Sequence, residues 1–223
     1  MANENPSHPR WPLATIVGLV VALVLPVATY PLGHSTVGAA VSLARIEIGV
    51  VAHWINLALL VAIVILWERR PLASIGMRPL RWWTLPVGIV AGFAITFATG
   101  ILSSLFALAP DSEFAHLLQS LPLFLRVLLA LTAGVFEETL FRGYATERLA
   151  TLLGNKWLAG ACTAVIFTLA HIPAVGTAHI LPVGIVTIFI TLLYLWRRNL
   201  ILNMAAHTTV DAIALLLAPL VSR

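Results

Sequence analysis

Long apolar runs separated by short polar segments make up most of this chain. A helix needs about 20 apolar residues to cross a bilayer, and by that criterion the sequence predicts about seven spans. Their approximate bounds are residues 11–33, 48–67, 85–108, 122–149, 157–172, 180–196 and 200–217. The pattern therefore predicts an all-α, polytopic transmembrane helical bundle. Gly88, Gly92 and Gly100 in the third run predict close approach of a neighbouring helix.

The basic residues between the runs indicate which loops share a side of the membrane. Four arginines and two adjacent tryptophans lie in the segment 68–83, which predicts a loop along the lipid headgroups. Residue 10 and the segments 148–156 and 197–198 are also basic, and they share that side if each run crosses once. Because basic loops are retained inside, we expect this side and the N-terminus to be cytoplasmic.

Composition supports the same interpretation and excludes other classes of protein. Hydrophobic residues make up 60% of the 223 residues and charged residues 10%, with a mean hydropathy of +0.99, which is outside the range of soluble domains. The net charge of +4 does not indicate nucleic-acid binding, because the basic residues are spread over short loops. The lone Cys162 excludes an intramolecular disulfide and a thiolate metal cluster.

The fourth run contains the charged residues around which the rest of the sequence is interpreted. Within V-F-E-E-T-L-F-R, Glu138 and Arg142 are four residues apart, in the favourable order for an intrahelical ion pair. Glu137 then has no partner on its own helix. Since ionisable groups at membrane depth are costly and usually functional, Glu137 is expected to have a partner on another helix.

Other polar residues within the runs supply those partners. Phe167 and His171 are four residues apart in the fifth run, and Asn203, His207 and Asp211 form one stripe in the seventh. Helix rise places Glu137, His171, His207 and Asp211 roughly 11 to 21 Å from the basic loops, so they are predicted to lie near one level. His53, by contrast, is isolated and is interpreted as a core histidine.

These residue types fit hydrolysis. A carboxylate in a low dielectric is a better proton acceptor than one in water, so Glu137 is the candidate base for a water molecule. His171 and His207 can orient that water, stabilise an oxyanion or bind a divalent metal. Asp211 can fix the His207 tautomer or act as a ligand. No H-E-x-x-H, G-x-S-x-G or Gly-Asp motif indicates another type of intramembrane protease.

The three motifs together resemble a known family. E-E-x-x-x-R at 137–142, F-x-x-x-H at 167–171 and H-x-x-x-D at 207–211 are similar to those of the CAAX protease and bacteriocin-processing family, also called Abi-type or type II CAAX prenyl endopeptidase-like. The resemblance implies an intramembrane peptidase in which the first glutamate and the histidines surround a catalytic water. Many members have asparagine where this chain has Asp211, although aspartate also occurs there.

The cofactor that the resemblance implies is either a divalent cation or none, since the family is described both as metal-dependent and as a metal-free glutamate peptidase. His171, His207, Glu137 and Asp211 are the tentative ligands of zinc or another divalent cation. Two carboxylates repel in a low dielectric, so either one of them is protonated, a histidine is charged or a cation is bound. The extra negative charge of Asp211 favours the cation.

We therefore predict one membrane domain over residues 1–223, with a catalytic core over 122–217. Its expected function is an intramembrane endopeptidase of a bacterial or archaeal cytoplasmic membrane, acting on a peptide or membrane-protein substrate and with no nucleic-acid partner. Glu137, His171 and His207 are the predicted catalytic residues, supported by Glu138, Arg142, Asp211, Asn203 and Phe167. The alternatives are a proton-coupled transporter and a non-catalytic membrane scaffold or immunity protein of the same fold.

Overall fold

The computed structural model describes residues 12–26, 43–108, 120–177 and 180–217. All regular elements within these ranges are helices, which confirms the all-α fold. The predicted bounds of the first run extend beyond the described residues at both ends. The helices are α1 (Leu13–Leu23), α2 (Leu43–Ala62, continued as a π-helix over Ile63–Trp67), α3 (Thr84–Leu105), α4 (residues 123–153), α5 (Lys156–Ala170), α6 (Ile172–Val175), α7 (Ile180–Arg197) and α8 (Leu200–Ala212, continued as a π-helix over Ile213–Leu217).

Three of the described helices are long and apolar enough to cross a membrane, at Ile46–Trp67, Thr84–Leu105 and Ile180–Arg197. Shorter apolar helices lie at Leu13–Leu23, Lys156–Ala170 and Leu200–Leu216. The fourth predicted run forms α4, whose charged residues interrupt its apolar character. The chain is thus an integral membrane protein, and a set of about seven spans fits its helices.

Glycines on α3 allow close packing against α8. A Cβ atom on Gly88 would come within 2.6 Å of the Leu202 carbonyl, and one on Gly92 within 2.6 Å of the Ala206 carbonyl. Any larger side chain at either position would push the two backbones apart. At Gly100 the described helices show no such approach, because none of their atoms lies within 4 Å of a Cβ built there.

Helix α4 changes its geometry where its charged residues lie. It is α-helical over Leu123–Glu137, π-helical over Glu138–Ala145 and α-helical again over Thr146–Leu153. The Thr146 backbone N–H accordingly reaches back five residues to the Phe141 carbonyl. Such π-helical segments are rare and often occur at functional sites. Every residue of this one is buried.

Two ion pairs anchor the end of α4. Arg148 donates from Nη2 to Glu68 Oε2 at 2.6 Å, and Thr15 and Tyr144 each donate to Glu68 Oε1 at 2.9 Å. Burial alone raises the pKa of Glu68, but the hydrogen bonds from Arg148 and Tyr144 outweigh that effect and hold it below its ordinary value. Arg148 also donates to the Ser74 carbonyl at 3.1 Å. The first of these pairs thus ties α1, the end of α2 and the segment 68–83 to α4.

The second ion pair joins Glu147, the residue before Arg148 on α4, to the connection between α7 and α8. Arg198 forms an ion pair with Glu147, which also accepts a hydrogen bond from Tyr194 at 2.8 Å. The hydrogen bond to Glu147 raises the pKa of Arg198. Leu200 N–H donates to the Gly76 carbonyl at 2.9 Å. The basic segments 69–81, 148–156 and 197–198 therefore meet at one end of the bundle, while residue 10 lies outside the described residues.

Candidate active site

A fully buried carboxylate lies at the centre of the candidate site. Glu138 is 0% exposed, and its Oε1 atom lies 2.7 Å from Arg142 Nη1 on the same helix. Asn203 Nδ2 on α8 donates to its Oε2 atom at 2.7 Å and to the Ile190 carbonyl on α7 at 3.1 Å. Removal of a charge from water is costly unless the charge is paired and hydrogen-bonded, and Glu138 meets both conditions. It thereby connects α4, α7 and α8.

Glu138 also orients the His207 ring. Nδ1 of His207 lies 2.8 Å from Glu138 Oε1, and because a carboxylate oxygen only accepts, Nδ1–H is the donor. The other ring nitrogen, Nε2, then faces two further carboxylates. It lies 3.9 Å from Glu137 Oε2 and 3.7 Å from Asp211 Oδ2. The orienting contact on Nδ1 therefore comes from Glu138, while Asp211 lies on the Nε2 side.

His171 is oriented by a backbone group. Its Nδ1 lies 2.8 Å from the Phe167 carbonyl, which can only accept, so Nδ1 carries the proton. Nε2 lies 4.0 Å from Glu137 Oε2. The sequence predicted this histidine within a helix. In the structure α5 ends at Ala170, and His171 lies at the turn between α5 and α6. The helix break directs the ring toward Glu137.

Glu137 therefore faces both histidines from a separate position on α4. Adjacent residues of a helix point in different directions. Glu138 therefore lies between α4 and α8, while Glu137 lines a cavity of about 400 Å³. His171, His207 and Asp211 line the same cavity, and most of its other lining is apolar. The structure thus brings together the four residues that the sequence placed near one level.

Phe167 packs between the charged residues and the histidines. Its ring lies 4.3 Å from the Arg142 guanidinium carbon and 4.5 Å from the His171 ring centroid. The His207 ring centroid is 6.3 Å away. Contact with an aromatic face stabilises a buried guanidinium and excludes water from it. Phe167 is thus a packing partner of the site. His53, interpreted as a core histidine, stacks on Phe136 at 4.3 Å and also lines the cavity.

The donor atoms suit a divalent cation in chemical type but are more widely spaced than metal ligands. Zinc bonds of 2.0–2.2 Å hold neighbouring ligand atoms roughly 3.3 to 3.6 Å apart in a tetrahedral site. The separations here, from Glu137 to each histidine and from Asp211 to His207, are 3.7 to 4.0 Å. Accordingly, no group of three or more His, Cys, Asp or Glu in the described ranges has metal-binding spacing.

Comparison with known proteins bears on the second half of the chain. A sequence model of the Rce1-like type II CAAX prenyl endopeptidase family matches residues 119–213. This range contains the residues around the cavity that were predicted as catalytic or supporting, from Glu137 to Asp211. The matched family is also the one to which the three motifs are similar. No curated protein and no solved structure matches the chain.

Proposed function

We propose that this chain, whose residues 119–213 belong to the Rce1-like type II CAAX prenyl endopeptidase family, hydrolyses a peptide bond within the bilayer by means of a water molecule activated by Glu137. The family supports a membrane-embedded protease. The observation that supports the residue assignment is that Glu137 Oε2 lies 3.9 and 4.0 Å from the Nε2 atoms of His207 and His171. A water molecule fits between such atoms at ordinary hydrogen-bond lengths.

In the first step, water lies between Glu137 and His171. The unprotonated Nε2 of His171 accepts a hydrogen bond from this water, because Nδ1 carries the ring proton. Glu137 accepts a second hydrogen bond from the water and removes that proton as the water oxygen attacks the scissile carbonyl carbon. A new C–O bond forms, the carbonyl π electrons move to oxygen, and Glu137 becomes a carboxylic acid.

His207 then stabilises the oxyanion. With Nδ1–H held by Glu138, a second proton on Nε2 makes the ring a donor toward the cavity. The carboxylates of Glu138 and Asp211 lie within 4 Å of this ring and balance its positive charge. Collapse of the intermediate breaks the C–N bond, and Glu137 returns its proton to the leaving nitrogen. Atoms and charge balance over the two steps.

A divalent cation remains part of the proposal, as a second arrangement in which Nε2 of His207 carries no proton. His171, His207 and one carboxylate, from Glu137 or Asp211, would hold it, and the remaining carboxylate would act as base or orienter. When bound, such a cation polarises a carbonyl and makes a water molecule more acidic.

The substrate we propose is a peptide or a membrane protein whose cleaved segment enters an apolar cavity, in a bacterial or archaeal cytoplasmic membrane. The test is incubation of detergent-purified protein with a library of hydrophobic peptides in water enriched in oxygen-18, followed by mass spectrometry. We expect one heavy oxygen in the new C-terminal carboxylate, and no product from Glu137→Gln. Two results together would instead favour a transporter. The folded protein would cut no peptide of the library, and it would carry protons across liposome membranes only when Glu137 is present.

A further inference from the structure

Several threonines in the described helices bond their hydroxyl to their own backbone. The hydroxyl bonds the carbonyl four residues earlier at Thr96, Thr139, Thr151, Thr163, Thr168 and Thr209, at 2.7 to 3.1 Å. This arrangement is the usual one for a helical threonine in an apolar setting. A buried threonine whose hydroxyl forms no hydrogen bond with the described residues differs from these six.

Thr187 on α7 is such a residue, and it lines the cavity. Its side chain is 1% exposed, and no atom of the described residues forms a hydrogen bond with its Oγ1 atom. Thr132 also lines the cavity but accepts a hydrogen bond from Trp54 Nε1 at 3.2 Å. An unsatisfied buried hydroxyl costs free energy unless a ligand or water supplies the missing partner.

The position of Thr187 is set by the contact between α7 and α8. Asn203 on α8 donates to the Ile190 carbonyl on α7, so these two residues lie at one level. The helices are antiparallel, joined at residues 198–199. Thr187 lies three residues beyond Ile190, about 4.5 Å, and His207 lies four residues beyond Asn203, about 6 Å in the same direction. The hydroxyl is therefore near the level of the proposed oxyanion donor.

We infer that Thr187 is a substrate-binding residue whose hydroxyl hydrogen-bonds a backbone peptide group next to the scissile bond. This inference rests on the proposed peptidase function. An extended peptide in an apolar cavity must find partners for its N–H and C=O groups, because the bilayer supplies no water. A hydroxyl is suited to either group, since it both donates and accepts. Such a contact is independent of side-chain sequence and holds the peptide at the level of Glu137.

Thr99 on α3 also has an unpartnered hydroxyl and lines the cavity, but it lies farther from the end of the bundle where the basic segments meet. Gly92 packs against Ala206 and Thr209 on the parallel α8. Thr99 is seven residues beyond Gly92, about 10 Å deeper. That distance corresponds to about three residues of an extended chain, so Thr99 cannot bond the same peptide group as Thr187.

The chain offers a matched control one turn away. Thr191 is on the same helix, is 5% exposed and also has an unpartnered hydroxyl, but it does not line the cavity. It packs against α5, where a Cβ on Gly160 would lie 3.3 Å from its methyl group. Thr187→Val and Thr191→Val therefore each remove a buried, unpartnered hydroxyl from the same helix, and only Thr187 is a residue that lines the cavity. Thr187→Ser restores the hydroxyl.

The test uses the peptide best cleaved in the library, as a quenched fluorescent probe, and two versions with an ester in place of the peptide group on either side of the scissile bond. We expect Thr187→Val to raise KM about tenfold with a smaller change in kcat. Thr191→Val and Thr187→Ser should stay within about twofold of the wild type. With one of the two ester probes, the KM of Thr187→Val should equal that of the wild type. Equal KM values for Thr187→Val and Thr191→Val, or an undiminished difference with both esters, would overturn the inference.

Binding of a fluorescent library peptide to Glu137→Gln protein, with the peptide chosen by its affinity and not by its cleavage, separates this inference from the proposed function. Fluorescence anisotropy should show weaker binding when Thr187→Val is added, and no change when Thr191→Val is added. Thr187-dependent binding by a wild-type protein that cuts no peptide would contradict the peptidase but support the contact. Cleavage with Thr187-independent binding would contradict the contact alone.

Discussion

His207 donates from Nδ1 to Oε1 of Glu138 across 2.8 Å, and this contact determines which nitrogen faces the cavity. Glu138 is in turn held by Arg142 and Asn203. The residue that the sequence pairs only with Arg142 thus also orients a histidine on another helix. Positioning of this kind fixes the tautomer of an imidazole and the direction of its free nitrogen.

The first prediction concerns Arg142. Arg142→Ala leaves the Glu138 carboxylate buried without its cation, which typically costs about 3 to 5 kcal/mol. We expect a clear loss of thermal stability in detergent together with a loss of cleavage, because His207 loses its fixed orientation. Differential scanning fluorimetry and peptide cleavage measure the two effects. Glu137→Gln is the comparison, since Glu137 lines the cavity and should contribute little to stability. Equal losses of stability in both variants with activity preserved would refute the assignment of roles.

A divalent cation gives the second prediction. After exhaustive chelation, we expect cleavage to fall and to return when zinc or another divalent cation is added back. Asp211→Asn should weaken this dependence, because it removes one of two carboxylates that repel each other. Elemental analysis of the same sample gives the metal content. Full activity of metal-stripped protein would eliminate the cation and leave the metal-free route.

The third prediction follows from the Glu68–Arg148 pair. The pKa of Glu68 is lower in the folded protein than its ordinary value of 4.5. Its contribution to stability is therefore present above about pH 4.5 and is lost as the pH falls through the folded pKa. Glu68→Gln should have a lower Tm than the wild type at pH 7, and the gap should narrow on acidification. Glu47→Gln, at an exposed position of α2, is the control. A constant gap between pH 7 and pH 3 would contradict the pairing.

The fourth prediction is the orientation. The segment 68–83 is proposed to be cytoplasmic because four arginines lie within it. Ala73 is exposed, whereas the neighbouring Ser74 bonds Arg148, so Ala73→Cys in a Cys162→Ala background is the better probe. An impermeant maleimide should label it in inside-out vesicles and fail in right-side-out vesicles. The opposite pattern would reverse the topology.

The sequence predicted the features that depend on local spacing. Apolar runs predicted the helices, and the four-residue spacing predicted the contact between Glu138 and Arg142. The contact between Glu138 and His207 could not be predicted in this way, because it depends on how α4 and α8 pack. Nor did the pattern show that α5 ends just before His171. The π-helical part of α4 has no composition signal that separates it from α-helix, and the missing partner of Thr187 is visible only once the cavity is known.

The most direct test of the central claim is the cleavage rate of Glu137→Gln in liposomes, measured with the library-derived probe. The amide has nearly the same shape as the carboxylate but cannot take a proton from water. We predict a loss of at least about a hundredfold in kcat, as expected for removal of a general base, with a Tm equal to that of the wild type. Cleavage at the wild-type rate by a folded Glu137→Gln protein would contradict the account.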